Sequence, residues 1–498
     1  MTIPMHAAVV GSGPSGFYAA EALLKALPDI SIDMFERLPT PYGLVRSGVA
    51  PDHAKLKQVT LVFDKIMQSE RFTFFGNVNV GSDVSVSDLR DAYDIVILAY
   101  GASTDRKMGI QGEDLQNSHS ATEFVGWYNG HPDFRDEVFD LGQEVAVVVG
   151  HGNVAADVSR ILLQPADELR KTDIAAHALE VLAESKVREV HLVGRRGPAQ
   201  AKFTSRELRG LGLIPNCSVV THDDQVVVNP ACETELADRL NVNALQNVEF
   251  FRSLSSANRQ SRRLTFHFCL SPERLEGESR VEKLVLRKNR LIGKPFEQTA
   301  RATNERMTID CGLVLSSIGY RGQQIEGVPF DLRQGVVSNQ QGRVEDEGTQ
   351  IEGLYVTGWL KRGPTGVIGT NRADSIETVQ HVLEDLASRK PEPKQGREAL
   401  VASLAQKSVR VVGLRDWLKI DGVERGRGQE AGKPREKVTR VSEMLDIVSL
   451  CHIHEPKEGR GIASGRLVDR GTFFHRRHCW HHRKFSDWPC SLVAQNRK

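Results

Sequence analysis

Two glycine-rich stretches carry chemistry that can be read directly, G-S-G-P-S-G at residues 11–16 and G-H-G-N-V-A at residues 150–155. Each follows an apolar run, Ala7 to Val10 or Val145 to Val149, and opens a helical one. Strand, tight turn and helix in that order form a dinucleotide cradle. In the first stretch Gly11 permits the turn, Gly13 lets backbone approach a pyrophosphate, and Gly16 lets helix pack closely on strand. The free N–H groups at the helix start then face phosphate.

The next strand end tells the two units apart. The run from Ile30 to Phe35 leads to Glu36, 20 residues after Gly16, where a carboxylate accepts both hydroxyls of an adenosine ribose. An unphosphorylated ribose is therefore expected there. In the second unit the corresponding strand, Glu189 to Val193, comes late, after a helical insertion from about residue 166 to 185, and ends in Gly194-Arg195-Arg196-Gly197. Two guanidiniums at that position suit a 2′-phosphate. A third turn, W-L-K-R-G-P-T-G-V-I-G-T-N at 359–371, precedes a helix expected over 372–389. Such a turn aims positive partial charge at its ligand, and in a flavoprotein the natural target is the N1 and C2 carbonyl edge of the flavin ring.

These residues need elements to hold them. The nearly continuous apolar run from Asp94 to Gly101 reads as a parallel strand buried on both faces, and Cys311 to Gly319 and Gly353 to Gly358 repeat the pattern. Residues 72–80 read as a strand, Lys55 to Gln68 as one helix, and 203–335 as strands with polar loops. The irregular stretch 37–53, rich in Pro and Gly, has the character of a functional loop. Residues 391–397 read as a linker, with helices expected at 398–407, 414–420 and 433–448.

A length of 498 residues allows two or three domains. The 40% hydrophobic and 26% charged content is that of a globular protein in water, and no apolar run reaches the roughly 18 residues of a membrane span. The N-terminal M-T-I-P-M-H lacks a secretory pattern, so a cytoplasmic protein without a membrane partner is expected. Seven scattered cysteines include no C-x-x-C and suggest neither a redox dithiol nor a metal site. The net charge of +1 hides a tail, residues 449–498, with ten Lys or Arg against four Asp or Glu. The rest of the chain is then slightly acidic, which gives no case for nucleic-acid binding.

With these motifs placed, the chain strongly resembles the adrenodoxin reductase family of ferredoxin–NADP reductases over about residues 1–448. The most specific segments are P-Y-G-L-V-R-S-G-V-A-P-D-H at 41–53, F-V-G-W-Y-N-G at 124–130, the stretch 150–163, G-R-R-G-P-A-Q-A-K-F-T-S-R-E-L-R at 194–209, and the 358–371 turn. The resemblance implies an α/β chain with two Rossmann-like dinucleotide-binding domains for FAD and NADP(H), the NADP domain inserted in the FAD domain. The expected boundaries are 1–105 and 330–448 for FAD and 106–329 for NADP, with 449–498 an atypical, disordered tail. It further implies FAD contacts at Gly11, Ser15, Glu36, Leu44, Val80, Trp359, Gly366, Val367 and Ile368. NADP contacts are implied at Gly150, Gly152, Asn153, Val154, Arg195, Arg196, Glu207 and Gly366. His53 and Glu207 are the implied catalytic pair, His53 as proton carrier near the flavin, with a ferredoxin as partner and a monomer favoured.

One departure is His151, where the family usually carries glutamine or glycine; the other is the tail, whose Cys451, His452 and His454 lack a convincing second ligand pair. Two other enzyme readings stay open on fold alone. A disulfide reductase is opposed by the missing C-x-x-C, and a flavin monooxygenase would need an apolar substrate chamber. A non-catalytic nucleotide-binding redox sensor is the alternative from another class.

Overall fold

The computed structural model describes residues 5–254, 260–388, 394 and 396–450. The tail and its Cys451, His452 and His454 lie outside the described residues, as does most of the expected linker. No helix among the described residues is long and apolar enough to cross a membrane.

Two sheets organise the body. The first has seven strands, ordered Asn339–Gln340, Arg343–Asp346, Thr349–Val356, Ile95–Leu98, His6–Val10, Ser31–Glu36 and Phe72–Gly76. Its five strands from Thr349–Val356 onward are parallel, with Ala7 opposite both Ile32 and Ile95. Ala7, Ala8, Val9, Ile95, Val96, Ile97 and Leu98 are all fully buried, the signature of a sheet covered on both faces. The helices Pro14–Ala26 and Ile368–Ser388 pack together, joined where Ser375 Oγ donates to Ser15 O at 3.0 Å.

The second sheet is wholly parallel: Ser118–Ser120, Leu313–Ser316, Val145–Val149, Glu189–Val193, Arg262–His267 and Cys217–Thr221. A three-stranded antiparallel sheet, Leu270–Glu276, Lys283–Ile292 and Thr299–Asp310, lies in the chain between the second sheet's strands Arg262–His267 and Leu313–Ser316. The backbone leaves the first sheet through Thr104–Asp105 and returns through Tyr320–Arg321, and these two short strands pair antiparallel. The mixed α/β fold expected from the motifs is present.

Several element boundaries differ from expectation. Lys55 to Gln68 is two helices, Ala54–Lys57 and Thr60–Met67, joined by i→i−3 bonds at Gln58 and Val59 that tighten the turn. Within 203–335, read as strands, lie the helices Ser205–Leu211, Pro230–Ala237 and Val242–Ser253. The helix expected at 414–420 continues to Glu430. Residues 433–440 are not helical, and the helix there is Val441–Leu450. Pro434 lacks the N–H a helix interior needs, and the side chains of this segment are committed elsewhere. Lys433 Nζ donates to Ile174 O at 2.7 Å, Lys437 meets Asp173 at 3.4 Å, and Arg440 clasps Asp136.

Candidate functional site

The glycines of the two turns divide by what a side chain would meet. At Gly11, with φ +104°, a Cβ would lie 2.5 Å from Ala99 O, and at Gly16 it would lie 2.0 Å from Gly11 O. At Gly150, with φ +138°, it would lie 2.1 Å from Ser317 O. These positions need glycine for the fold itself. At Gly13 and Gly152 a Cβ would enter open space, and each caps the helix that starts beside it. The room kept there suits a pyrophosphate at a helix N-terminus.

Around the first turn the 37–53 loop closes over the fingerprint. Its one regular piece is a single helical turn, Leu44–Ser47, preceded by Tyr42 and Gly43 at positive φ. Tyr42 N donates to Ser12 O at 3.0 Å, and a Cβ on Gly43 would lie 3.0 Å from Gly13 Cα. Glu36 Oε2 accepts from Ser12 N and Ser12 Oγ, and Oε1 accepts from Leu38 N. The carboxylate is thus fixed at the strand end, with one acceptor site, on Oε1, left for a ribose hydroxyl. Leu44 is partly exposed; Val80 is buried in the same apolar cluster as Val10 and Leu360.

The third turn meets this site from the other side of the chain. Gly358 N donates to Asp374 Oδ2 at 2.5 Å, which fixes the turn to its helix. Gly366 adopts φ +86° and Val367 is exposed, just before Ile368 opens that helix. Trp359 Nε1 and Arg362 Nε and Nη1 are buried without a partner among the described residues. Buried donors are almost always satisfied, so these orphans fit a missing acceptor-rich group such as a flavin ring and its phosphates.

In the second unit the GHGNVA turn is locked to the segment that follows the arginines. Lys202 N donates to His151 O at 2.7 Å and Thr204 N to Asn153 Oδ1 at 2.8 Å. Val154 is partly buried against the apolar core of this unit. His151 keeps a negative φ, as its Cβ requires; its ring packs on Phe268 and its Nε2 lies 3.1 Å from Leu192 O. Burial drops its pKa to about 4, so the ring is neutral and donates to that carbonyl. Arg195 is exposed and Arg196 half-buried, and neither is in an ion pair among the described residues. Burial and the adjacent Arg195 charge hold Arg196 below its usual pKa.

His53 and Glu207, far apart in sequence, converge: His53 Nε2 is 3.2 Å from Glu207 Oε2. Asp157 and Arg160, on the fingerprint helix Asn153–Leu163, complete the cluster with Asp52. Arg160 Nη2 reaches His53 Nε2 at 2.9 Å, Asp157 Oδ1 at 2.7 Å and Asp52 Oδ1 at 3.0 Å. Burial disfavours charge on His53, but the hydrogen bond its ring donates to Glu207 and the charge of Asp157 prevail and raise its pKa. Burial pushes the Asp157 carboxyl up to about 6. Glu207 and Asp52 end below their usual values, because His53 and Arg160 respectively outweigh burial. His53, Asp157 and Glu207 offer ligand atoms within 4.8 Å of one another, and the Arg160 guanidinium supplies a cation to this group. The arrangement can hold and pass a proton between an imidazole and a carboxylate. Asp52, Asp157 and Arg160 were not singled out in the sequence; the signal was there in the i, i+3 pair of opposite charges on an otherwise Ala- and Val-rich helix.

A family model described as pyridine nucleotide-disulphide oxidoreductase matches residues 5–238. The chain is 44% identical to the mitochondrial NADPH:adrenodoxin oxidoreductase of Arabidopsis thaliana over 459 residues, 89% of this chain and 95% of that one. It is 42% identical to the NADPH-ferredoxin reductase FprA of Mycobacterium tuberculosis over 467 residues, 89% and 99% of the two chains. The solved structure of M. tuberculosis FprA in complex with NADPH superposes with a TM-score of 0.84 at 42% identity, covering 90% of this chain and 100% of that chain.

Proposed function

This chain belongs to the NADPH:adrenodoxin oxidoreductase and NADPH–ferredoxin reductase family; it is a FAD-dependent oxidoreductase that moves electrons from NADPH to a ferredoxin-type protein, and we propose how its residues divide that work. FAD lies on the first glycine turn and NADPH on the second. The domains run 1–105 with 330–448 for FAD and 106–329 for NADP, a reading supported by the paired crossing strands Thr104–Asp105 and Tyr320–Arg321.

Gly11, Gly13, Ser15 and Gly16 hold the FAD pyrophosphate, Glu36 its ribose, and Leu44, Val80, Trp359 and Gly366 to Ile368 its flavin end. Trp359 and Arg362 find acceptors there for their orphaned donors. Gly150, Gly152, Asn153 and Val154 hold the NADPH pyrophosphate, while Arg195 and Arg196 bind the 2′-phosphate. When bound, the flavin joins the two-electron chemistry of a nicotinamide to the one-electron chemistry of an iron–sulfur centre. The protein therefore needs no nucleophile, and its task is to position and to manage protons. His53 holds the proton that accompanies the electrons, and Glu207 and Asp157 set its affinity through the contacts at 3.2 and 3.9 Å. The guanidinium of Arg160 fixes the three acids around it.

The observation that carries this reading is the contrast of Glu36 and Arg195-Arg196 at equivalent strand ends, with the His53–Glu207 contact bridging the first unit's loop and the second unit's helix. Purified protein should carry FAD and reduce ferricyanide with NADPH, and it should reduce cytochrome c only when a ferredoxin is added. A colourless protein that binds nucleotide without turnover would favour the redox-sensor reading instead. We propose a reducing, cytoplasmic setting, supported by the four described cysteines being free, and a monomer; fractionation and sedimentation test these two points.

A further inference from the structure

The loop that carries the two arginines is held by backbone carbonyls rather than by counter-ions. Gly194 N donates to His267 O at 2.9 Å. Beyond it, three successive carbonyls each receive a donor from outside the loop: Leu270 N on Gly194 O at 3.0 Å, Asn289 Nδ2 on Arg195 O at 2.9 Å, and Cys269 N on Arg196 O at 3.0 Å. Cys269 adopts φ +54°, a reversal that turns its N–H to Arg196 while its own carbonyl accepts from Asn289 N at 2.7 Å.

Asn289 is the one side chain in this set of donors, and its placement is specific. The pairing of Lys283–Ile292 with Thr299–Asp310 shifts register between Arg287 and Asn289, the kind of bulge that re-aims a side chain. Asn289 Nδ2 also donates to Ser271 Oγ at 2.7 Å, which orients the amide. Two residues on, Leu291 Cδ1 lies 3.2 Å from where a Cβ on Gly197 would stand, so the strand closes over the end of the loop.

We propose that Asn289, on the antiparallel strand beyond the arginine loop, is a positioning residue for nicotinamide nucleotide choice: its amide fixes the Arg195 main chain so that both guanidiniums converge on a 2′-phosphate. This rests on the assignment of Arg195 and Arg196 to that phosphate. Two adjacent cations without paired carboxylates repel each other, and rigid backbone keeps them together before the ligand arrives, which lowers the ordering cost of binding. Loss of the amide frees the Arg195 carbonyl and touches no contact to the rest of the nucleotide. Asn289 is therefore expected to affect the phosphate alone.

The test compares binding of 2′,5′-ADP and 5′-AMP to the FAD-loaded protein by calorimetry, alongside NADPH and NADH kinetics with ferricyanide. One ordering hydrogen bond corresponds to about a threefold to tenfold effect, so Asn289→Ala should weaken 2′,5′-ADP by that factor and raise KM for NADPH. Binding of 5′-AMP, kcat, and NADH turnover should stay within about twofold. Bound FAD and the thermal midpoint, measured on the same samples, report folding; Asn289→Ser, too short to reach Arg195 O, is the second variant if the alanine form does not accumulate. Equal losses for both ligands, or no change in either, overturn the proposal. Arg195→Ala and Arg196→Ala serve as reference. If they leave the 2′,5′-ADP to 5′-AMP ratio unchanged, the arginine assignment falls and the proposal with it. If they lower the ratio while Asn289→Ala does not, only the role of Asn289 falls.

Discussion

On the proposed assignment, the choice between NADPH and NADH rests on Arg195 and Arg196 at the end of Glu189–Val193, where the first unit has Glu36. A carboxylate there repels a 2′-phosphate; two guanidiniums bind it with charge-assisted hydrogen bonds. Such bonds contribute roughly 1.5 to 3 kcal/mol each, so Arg195→Ala or Arg196→Ala should lower kcat/KM for NADPH by about 10- to 100-fold. NADH, with no phosphate to lose, should change little, and equal losses for the two nucleotides would sink the assignment. At the same scale, Asp157 has a pKa raised to about 6 by burial. Its unfolded value is near 3.9, so between these two the folded state binds more protons than the unfolded one. The contribution of Asp157 to stability is then present at low pH and lost as pH rises through about 6. Asp157→Asn removes this dependence, and its denaturant midpoint relative to wild type should climb from about pH 4 to about pH 7. Parallel pH curves for the two proteins would refute the buried, protonatable Asp157. The glycine turns and the strand ends at Glu36 and Arg195 were legible because strand, turn and helix follow one another at a fixed spacing. The pair Asp157 and Arg160 shows in the sequence as opposite charges at i, i+3, but its junction with Asp52 does not, because that contact joins segments more than 100 residues apart.

At the scale of elements, the helix Leu414–Glu430 fastens the loop over the first glycine turn. Glu424 is fully buried on it and takes bidentate hydrogen bonds from Arg46, a third from Arg435 Nη1 at 2.5 Å and a fourth from Val438 N at 2.9 Å. Removing one member of a buried ionic group leaves the others uncompensated, at a cost of about 3 to 5 kcal/mol. Glu424→Leu should therefore unfold at clearly lower urea and lose FAD more readily, because Arg46 lies in Leu44–Ser47. Retained stability and retained flavin would show that the helix is not a clasp. Sequence periodicity located the buried parallel strands well, since continuous β-branched runs have few other uses. It missed Pro230–Ala237 and Val242–Ser253 because their buried positions include Glu235 and Asn247. Those side chains are tied to tertiary partners, Gln298 Nε2 donating to Glu235 and Asn247 Nδ2 donating to Phe203 O, so no apolar stripe marks either helix. The segment 433–440 failed for the opposite reason: its helical spacing of charges is used to grip Asp173, Ile174 and Asp136 from a segment that is not helical.

For the whole molecule, the motifs pointed to two nucleotide units and the family resemblance implied that one is inserted in the other; what they could not give is how the 37–53 loop meets the helix Ser205–Leu211 at His53 and Glu207. From that junction we predict where a ferredoxin docks. The helix Ser205–Leu211 turns Glu207 inward to His53, while Arg206 and Arg209 on the same helix are exposed and free of ion pairs among the described residues. A partner with an acidic face would meet these two cations close to the proton-handling cluster, and so near the flavin. Exposed pairs contribute about 0.2 to 1 kcal/mol each, enough for a severalfold effect from two. Between ionic strengths of about 0.1 M and 1 M the screening length falls from about 10 Å to about 3 Å, so KM for ferredoxin should rise severalfold while NADPH–ferricyanide activity moves far less. Arg206→Ala with Arg209→Ala should reproduce the high-salt KM at low salt and flatten its further salt dependence. A ferredoxin KM that ignores ionic strength, or a double variant that keeps the full salt response, would place docking on another surface.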